Sequence, residues 1–459
     1  MNLIQMFLKK NRENNLKIHC IGDAMIDEYY QVKITRISPE HPIPVMNCRN
    51  SFLKKPGGAA NVAYQLKHLN VDASLLCFYD DIAQRVFTQH GLHCLNQNFD
   101  SSRLPVKRRY LDNGIQVAPR HDFEIPMCNL SQDQVDNISQ NLGDIIKQNI
   151  PQVAILSDYN KGFFYSEKFK IIDYYKNVLT IVDPKKGPID KWRGCTVFKP
   201  NCKEAEEISG KKNWQDQAIY FQKELQCVAV VITFGGEKVV GIYDNQFFEY
   251  IPTKKVNVES VIGAGDCFIS FFATAMGHGF NPIESSEIAW NAGAIYVQQR
   301  MNRPIVPAEL EENKIIFPQD LIKRDFKLVF TNGCFDILHK GHISTLNFAK
   351  NKGDKLVVAL NTDESIKKFK DKRRPVVSLE NRLDVISSLS CVDFVTFFEE
   401  ETPEKILKII KPDVIVKGGD YTLEKICGND FIPEIYISPY LPNISTTKIL
   451  ENYFLQSQS

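Results

Sequence analysis

Two short stretches of the 459-residue chain combine residue types that can handle phosphoryl groups. The first is FTNGCFDILHKGH, Phe330–His342. There an apolar run ends at Thr331, Asn332 and Gly333, Phe335 and Asp336 follow, and His339 and His342 stand three residues apart around Gly341. Imidazoles at a helix start can donate hydrogen bonds to phosphate oxygens as charge develops, and the free N–H groups of the helix favour the same anion. Such a pair could also be a metal site or two surface histidines, but HKGH lacks the glutamate of the HExxH zinc pattern. The second stretch is VIGAGD, Val261–Asp266, followed by Cys267, Phe268 and an apolar run to Met276. Gly263, Ala264 and Gly265 at a helix start would make a hole of backbone N–H groups for an anion. Asp266 at its rim can take a proton from a hydroxyl while the hole neutralises phosphoryl charge. Taken alone, GAGD is equally a glycine-rich helix cap.

The elements that must hold these residues follow from hydrophobic periodicity. Apolar strand-like runs recur at Lys17–Ile21, Ala73–Phe78, Val153–Ser157, Leu179–Asp183, Thr196–Lys199 and Val228–Phe234, with helical stretches such as Ser131–Gln148 and Ser166–Tyr175 between some of them. Alternation of this kind predicts a mainly parallel sheet covered on both faces. Ligands bind beyond the carboxyl ends of such strands, which draws attention to Asp158, Asp183, Asn201 and Thr233. Gln31–Phe52 carries Pro39, Pro42 and Pro44 and predicts edge strands or an arm outside the main sheet. Gly57–Leu69 reads as a glycine turn entering a helix. Asn302–Arg324, with Pro304, Pro307 and Pro318, marks a boundary. A second α/β pattern follows it: strands at Phe326–Thr331, Lys355–Asn361, Val392–Phe397, Val414–Lys417 and Glu434–Ile437, a helix from Ile343, and a closing helix Thr446–Tyr453. The expected domains are 1–318 and 325–459.

Composition narrows the function classes. Lys and Arg total 56 against 55 Asp and Glu, so the basic excess of a dedicated nucleic-acid binder is missing. The run Lys367–Arg374 reads as a solvated loop or as part of a phosphate-acceptor site. No stretch approaches the roughly 18 apolar residues that span a bilayer, and the start MNLIQMFLKKNREN lacks a signal peptide's apolar core. The 12 cysteines are scattered without a CxxC pair, as expected for reduced thiols in a cytoplasmic protein without structural metal.

TNGCFDILHKGH resembles the signature of the small-molecule nucleotidyltransferase superfamily, whose core is HxGH. LNTDESIK with Asn361 and Asp363, KGGDY with Lys417, Gly418 and Asp420, and ISTTKIL with Ser445, Thr446 and Thr447 extend the resemblance over about residues 326–459. It implies that His339 and His342 stabilise the triphosphate in its pentacoordinate state. It also implies that Thr331, Asn332, Gly333, Phe335, Asp363, Lys417 and Asp420 serve nucleotide binding. Ser445, Thr446 and Thr447 would hold the β/γ-phosphates, and Arg382 would lie near the nucleotide or acceptor phosphate. Asp336 is expected to order the histidine turn.

GDAMIDEY, PGGAANVA, SDYNKG, VDPK, PNCKE and GAGD make residues 15–310 resemble the ribokinase-like carbohydrate kinases. The implied fold is a ribokinase-like α/β domain with a protruding β arm, followed by a Rossmann-like nucleotidyltransferase domain. By this resemblance Asp27, Gly57, Gly58 and Asn61 hold sugar hydroxyls, and Asn201 and Glu204 organise Mg²⁺ and its water. Thr233 and Gly235 approach the nucleotide, with Gly263, Ala264 and Gly265 as anion hole and Asp266 as general base. RISPEHPIPV, PRHDFE and SDYNKG are similar to the heptose-phosphate kinase subgroup. The whole chain therefore resembles the bifunctional heptose-7-phosphate kinases and heptose-1-phosphate adenylyltransferases, which use ATP and Mg²⁺ on the way to ADP-heptose for lipopolysaccharide. The 7-phosphate would meet Lys107, Arg109, Arg120 or Lys185.

The chain departs from the kinase pattern at Ser260, Ile262 and Cys267, where the family has Asp, Thr and Thr, and at Lys238, in place of a nucleotide-loop glycine. Ser260 brings no charge to the monovalent-cation site of related kinases. Asn443 and Ile444 precede STT where Gly-Cys is common. The alternatives are a weakened or structural kinase domain, a cytidylyltransferase acting on an alcohol phosphate, and a non-catalytic sensor built on two decayed domains. Family kinases dimerise through their β arms, so a homodimer through the N-terminal domain is expected.

Overall fold

Strands rich in β-branched and aliphatic residues, such as VAILS at Val153–Ser157 and AVVIT at Ala229–Thr233, can be stable only where both faces are buried. The computed structural model places them at the centre of a large sheet. It describes residues 2–96, 104–112, 115–124, 132–164, 170–253, 256–299, 303–311, 314–370, 374–419, 421–422 and 426–439. Asp420, Ser445, Thr446, Thr447 and the expected closing helix lie outside the described residues. The chain divides into two compact units, Met1–Ile305 and Val306–Ser459.

The first unit is built on a sheet of nine strands. Their order is Gln246–Tyr250, Val239–Tyr243, Ala229–Thr233, Val197–Phe198, Leu179–Asp183, Val153–Ser157, Lys17–Gly22, Asp72–Leu76 and His93–Cys94. It is parallel from Ala229–Thr233 onward, so its strand ends share one edge. The first two strands form an antiparallel hairpin, turned by Asp244 and Asn245 at φ 51° and 58°, where these residue types tolerate the left-handed region. The helix Ala264–Gly277 is apolar nearly all round, as a core helix must be. It packs against Ala59–His68 and Pro282–Tyr296 and buries Phe271 and Phe272.

Ala24–Ile37 and Pro44–Gly58 pair with each other rather than with this sheet. With Val106–Asp112, Ile115–Gln116 and His121–Phe123 they make a separate five-stranded arm. The proline-rich segment is thus an arm, as its sequence predicts. Leu3–Glu13 is a helix the sequence reading did not anticipate. Asn2 caps it with Gln5, and Phe7 and Leu8 bury its apolar stripe. Of the expected helix Ser166–Tyr175 the described part is a short 3-10 turn, Ile171–Tyr175.

The second unit has a five-stranded parallel sheet in the order Phe394–Phe398, Lys355–Asn361, Leu328–Gly333, Val414–Lys417, Glu434–Ile437. One face buries Phe330, Val357 and Ile415, and the other Val329, Leu356 and Leu346. The boundary segment enters this core, so residues 306–318, expected in the first domain, belong to the second unit. Val306, Ala308, Ile316 and Leu321 are buried with Leu328 and Phe330, and Ile315 bridges Val395. Its prolines start two 3-10 turns, Pro307–Leu310 and Pro318–Leu321, while its apolar residues gain from burial. The helix carrying the histidines is Lys340–Lys350, so it begins three residues before the expected Ile343 and has His339 as its N-cap.

Candidate active sites

In the first unit, Asp266 sits in the opening turn of Ala264–Gly277, behind Gly263, which takes φ 76°. The carboxylate is buried, and both its oxygens are engaged. Asn61 Nδ2, from Ala59–His68, donates to Oδ2 at 2.6 Å, and the Tyr159 hydroxyl donates to Oδ1. Desolvation pushes the Asp266 pKa up to about 6, against the pull of these two hydrogen bonds. That places a proton acceptor near neutral pH at a helix start, the requirement for deprotonating a hydroxyl.

Tyr159 follows the strand Val153–Ser157, in a loop organised by a buried carboxylate. Asp23 accepts backbone N–H groups of Tyr159, Lys161 and Phe163 at 2.9, 3.0 and 2.8 Å. The Lys107 and Lys185 ammonium groups stand 5.6 and 5.8 Å from the Tyr159 ring centroid. Gly57 and Gly58 end a strand of the arm beside Asp23 and Asp27. A Cβ on Gly58, at φ 60°, would fall 2.3 Å from the Asp23 carbonyl oxygen, and one on Gly57 would fall 3.0 Å from Asp27 Oδ2. Glycine is what lets the two chains approach this closely.

The expected phosphate cations divide. Arg109 is buried and donates to Asp27 at 2.5 Å. Arg120 forks onto Asp122 with two 2.6 Å bonds, so its guanidinium is engaged at the arm's surface. Lys185 pairs with Glu204; burial works against its ammonium, but the carboxylate outweighs burial and its pKa ends above the ordinary value. Burial pulls the Lys107 pKa down.

Beyond the strand ends, Asn201 caps Cys202–Ser209. Its side chain accepts from Glu204 N, and Glu204 Oε2 accepts from Asn201 N, both at 2.9 Å. Asn201 also bridges Thr233, and the chain turns at Gly235 with φ 58°. Among the described residues no cluster of three or more His, Cys, Asp or Glu could hold a metal ion. Lys238 pairs with Glu249 at 2.6 Å across the hairpin. Ser260 Oγ accepts Ile262 N at 3.3 Å. Cys267 is fully buried.

In the second unit, His339 and His342 meet face to face, ring centroids 3.8 Å apart and planes 19° from parallel. Phe335, at φ 44°, backs His342 with centroids 5.0 Å apart. Both Nδ1 atoms are buried without a protein partner among the described residues. Desolvation lowers the His339 pKa, and it brings His342 down to about 4 with help from His339 and Arg374. Two imidazoles with unfilled polar atoms at a helix start fit an anionic ligand.

Thr331 is buried at the end of Leu328–Gly333, and Asn332 Oδ1 accepts from Lys417 Nζ at 2.5 Å. This contact joins two of the sequence motifs.

Arg382 lies among the expected nucleotide motifs. It is 1% exposed, and its guanidinium donates to the carbonyls of Val377, Cys334 and Asn361 and to Asp363 at 2.5 Å. It ties three loops together, with its charge used inside the protein. Asp336 likewise holds another segment than the histidine turn. It accepts from Arg374 and from Val376 and Val377 N–H groups at 2.8–2.9 Å.

Tyr159, Asp23 and Arg374 were missed as individual residues. Tyr159 lay inside a quoted motif just past a strand end, the position where ligands bind in such sheets.

Family models agree with this division. Residues 127–308 match the pfkB family of carbohydrate kinases and residues 330–452 match the cytidylyltransferase-like family. The fold of the first unit is similar to phosphofructokinase-2 from Escherichia coli. The form in complex with potassium gives a TM-score of 0.51 at 14% identity, over 63% of this chain and 94% of that one. The form with fructose-6-phosphate gives 0.50 at 16%, over 62% and 93%. Fold and sites together define a bifunctional carbohydrate kinase and nucleotidyltransferase that uses nucleotide and sugar-phosphate substrates. The bifunctional protein HldE of Histophilus somni is 33% identical over 95% of this chain and 97% of its own length, and that of Helicobacter hepaticus is 33% identical over 95% and 96%. The chain belongs to the HldE family of bifunctional heptose kinases and adenylyltransferases.

Proposed function

We propose that the first unit phosphorylates D-glycero-D-manno-heptose 7-phosphate at C1, and that the second transfers the adenylyl group of ATP to heptose 1-phosphate, giving ADP-heptose and pyrophosphate. One observation carries the first half: Asp266, a base for a hydroxyl, is bonded to the tyrosine whose ring faces two ammonium groups suited to a second phosphate. The anomeric oxygen attacks the γ-phosphorus, its proton passes to Asp266, and ADP leaves. Backbone N–H groups around Gly263, Ala264 and Gly265 face the developing charge. Asp27, Gly57, Gly58 and Asn61 line the sugar side. Of the four candidate cations, Lys107 and Lys185, which stand near the Tyr159 ring, serve the 7-phosphate more directly than Arg109 and Arg120, which hold Asp27 and Asp122; Lys185 would share its charge between the phosphate and Glu204.

ATP brings Mg²⁺, which neutralises phosphate charge. Asn201 and Glu204 fit it through hard oxygens, and through water, because Mg²⁺ keeps much of its hydration shell. Their side chains already serve the helix cap and Lys185.

In the second unit a sugar-phosphate oxygen attacks the α-phosphorus and pyrophosphate leaves. His339 and His342 donate to phosphate oxygens, Lys417 adds charge from its seat on Asn332, and Ser445, Thr446 and Thr447 hold the β/γ-phosphates. Purified full-length protein should form the 1,7-bisphosphate from heptose 7-phosphate, ATP and Mg²⁺, and should release pyrophosphate from ATP with heptose 1-phosphate. The cytidylyltransferase-like match makes CTP the competing nucleotide, and preference for CTP would replace the adenylyl reading. No pyrophosphate from any sugar 1-phosphate would sink the assignment.

We also propose a homodimer through the arm. Ile34, Ile37, Ile43 and Ile115 are exposed there, and paired copies would cover them.

A further inference from the structure

The sequence reading accounts for Asp266 but not for what holds it. A buried carboxylate in a low-dielectric site tends to keep its proton, and a protonated aspartate cannot accept another. Asp266 is faced from every side by groups that act on this balance. Asn61 and the Tyr159 hydroxyl contact it directly. Asp183, itself paired with Lys199, and Asp27, paired with Arg109, add negative field. Lys185 offers positive charge, and Tyr296 lies within its field from the helix Pro282–Tyr296.

Of the two groups in contact, Asn61 stands on the buried helix Ala59–His68 and Tyr159 on the loop held by Asp23. The Tyr159 backbone N–H is bound by Asp23. The adjacent Asp158 is locked by Lys191 at 2.9 Å and accepts from Asn160 N at 2.8 Å. The phenol is a sure donor, because burial and the neighbouring carboxylates push its own ionisation well above the ordinary range. The Lys107 and Lys185 ammonium groups stand near its ring.

We propose that Tyr159 is a positioning residue for the kinase reaction: its hydroxyl, donated to Oδ1 while Asn61 occupies Oδ2, aims the Asp266 carboxylate and keeps it in the proton-accepting form. The inference rests on Asp266 being the base. Its reach is wider than orientation. The same ring is flanked by the two cations proposed for the sugar's existing phosphate, so the group that recognises the substrate and the group that activates its hydroxyl meet at one side chain.

The test is the pH profile of kinase kcat/KM in the full-length protein. Tyr159→Phe removes the donor and keeps the ring. With desolvation less opposed, the acidic limb should move up by about one pH unit, giving about threefold loss at pH 6.5, on the order of tenfold loss at pH 5 and almost no loss at pH 9. Adenylyl transfer by the same sample should stay unchanged and certifies the fold of the second unit. Incorporation of 3-fluorotyrosine at position 159 supplies a more acidic phenol, a stronger donor, and should move the limb the opposite way. This second variant decides the matter if Tyr159→Phe loses its fold. An unmoved limb in both variants, or an equal loss at every pH, would overturn the positioning role. Failure of the base reading itself looks different: Asp266→Ala would keep its kinase rate.

Discussion

The two candidate sites place ionisable groups in similar surroundings and obtain opposite charges on demand. In the first unit burial raises an aspartate to about 6, and in the second it lowers His342 to about 4. In both cases desolvation favours the neutral form. In the first unit two hydrogen bonds to the carboxylate counter this, as the proposed role of Asp266 requires, because a base must be ionised before its substrate arrives. The transferase site leaves both Nδ1 atoms without protein partners among the described residues, and in the proposed reaction an incoming triphosphate would supply the negative charge that makes protonated or donating imidazoles favourable. One site is charged in advance, and the other waits for its ligand.

Exchange of the key residues should break the comparison most sharply. Asp266→Ala should cost sugar phosphorylation about 10²–10⁴-fold and leave pyrophosphate release intact. His342→Ala should do the reverse, with a loss of about 10²–10³-fold. Parallel loss of both activities in either variant would mean one shared site or global damage.

The pH response is the next largest effect. Kinase kcat/KM should fall about tenfold per pH unit below the Asp266 pKa of about 6. Stability should respond with opposite signs. Asp266, raised from 3.8, contributes stability that is present below pH 3.8 and lost as pH rises through about 6. His342, lowered from 6.5 to about 4, gives stability that is present above pH 6.5 and lost as pH falls through about 4. Denaturant unfolding of Asp266→Asn and His342→Gln against pH should remove these opposed slopes, each on the order of 1–3 kcal/mol. Slopes of the same sign would contradict the shared desolvation cause.

Assembly is a twofold effect. Replacing Ile37 and Ile43 by Asp should halve the mass found by light scattering while both activities persist. An unchanged mass would place the interface elsewhere.

The smallest effect is expected from monovalent cations. Ser260 offers one neutral oxygen, which already accepts Ile262 N, and Lys238 is held by Glu249. Exchange of K⁺ for a large organic cation at constant ionic strength should leave the kinase rate nearly unchanged. A steep K⁺ requirement would mean that backbone carbonyls suffice, and no ADP formation in any salt would favour a decayed kinase.

Much of this was legible in the sequence because its causes are local. Continuous apolar runs located the five strands of the second sheet and six of the first, since a run such as VAILS has nowhere to go but a buried strand, but not the hairpin Val239–Tyr243 and Gln246–Tyr250 or the edge strand His93–Cys94. Glycine-rich turns marked the ends of Pro44–Gly58 and the start of Ala264–Gly277, where backbone geometry demands them. Prolines separated the arm from the main sheet. The residues of HKGH and GAGD pointed to phosphate chemistry only together with the companion motifs that carry the family resemblance.

Tertiary structure alone decided how those side chains use their charge. Arg109, Arg120 and Arg382 carry the residue type of a phosphate ligand, yet each meets a carboxylate: Arg109 and Arg382 across 82 and 19 positions, Arg120 only two residues along its own segment. Lys185 meets Glu204 nineteen positions away, and Tyr159 reaches Asp266 across 107. Burial and hydrogen-bond partners at that sequence separation depend on which elements the fold brings together. They set whether a cation is spent within the protein, whether an aspartate titrates near neutral pH, and whether two histidines stack with their nitrogens unfilled.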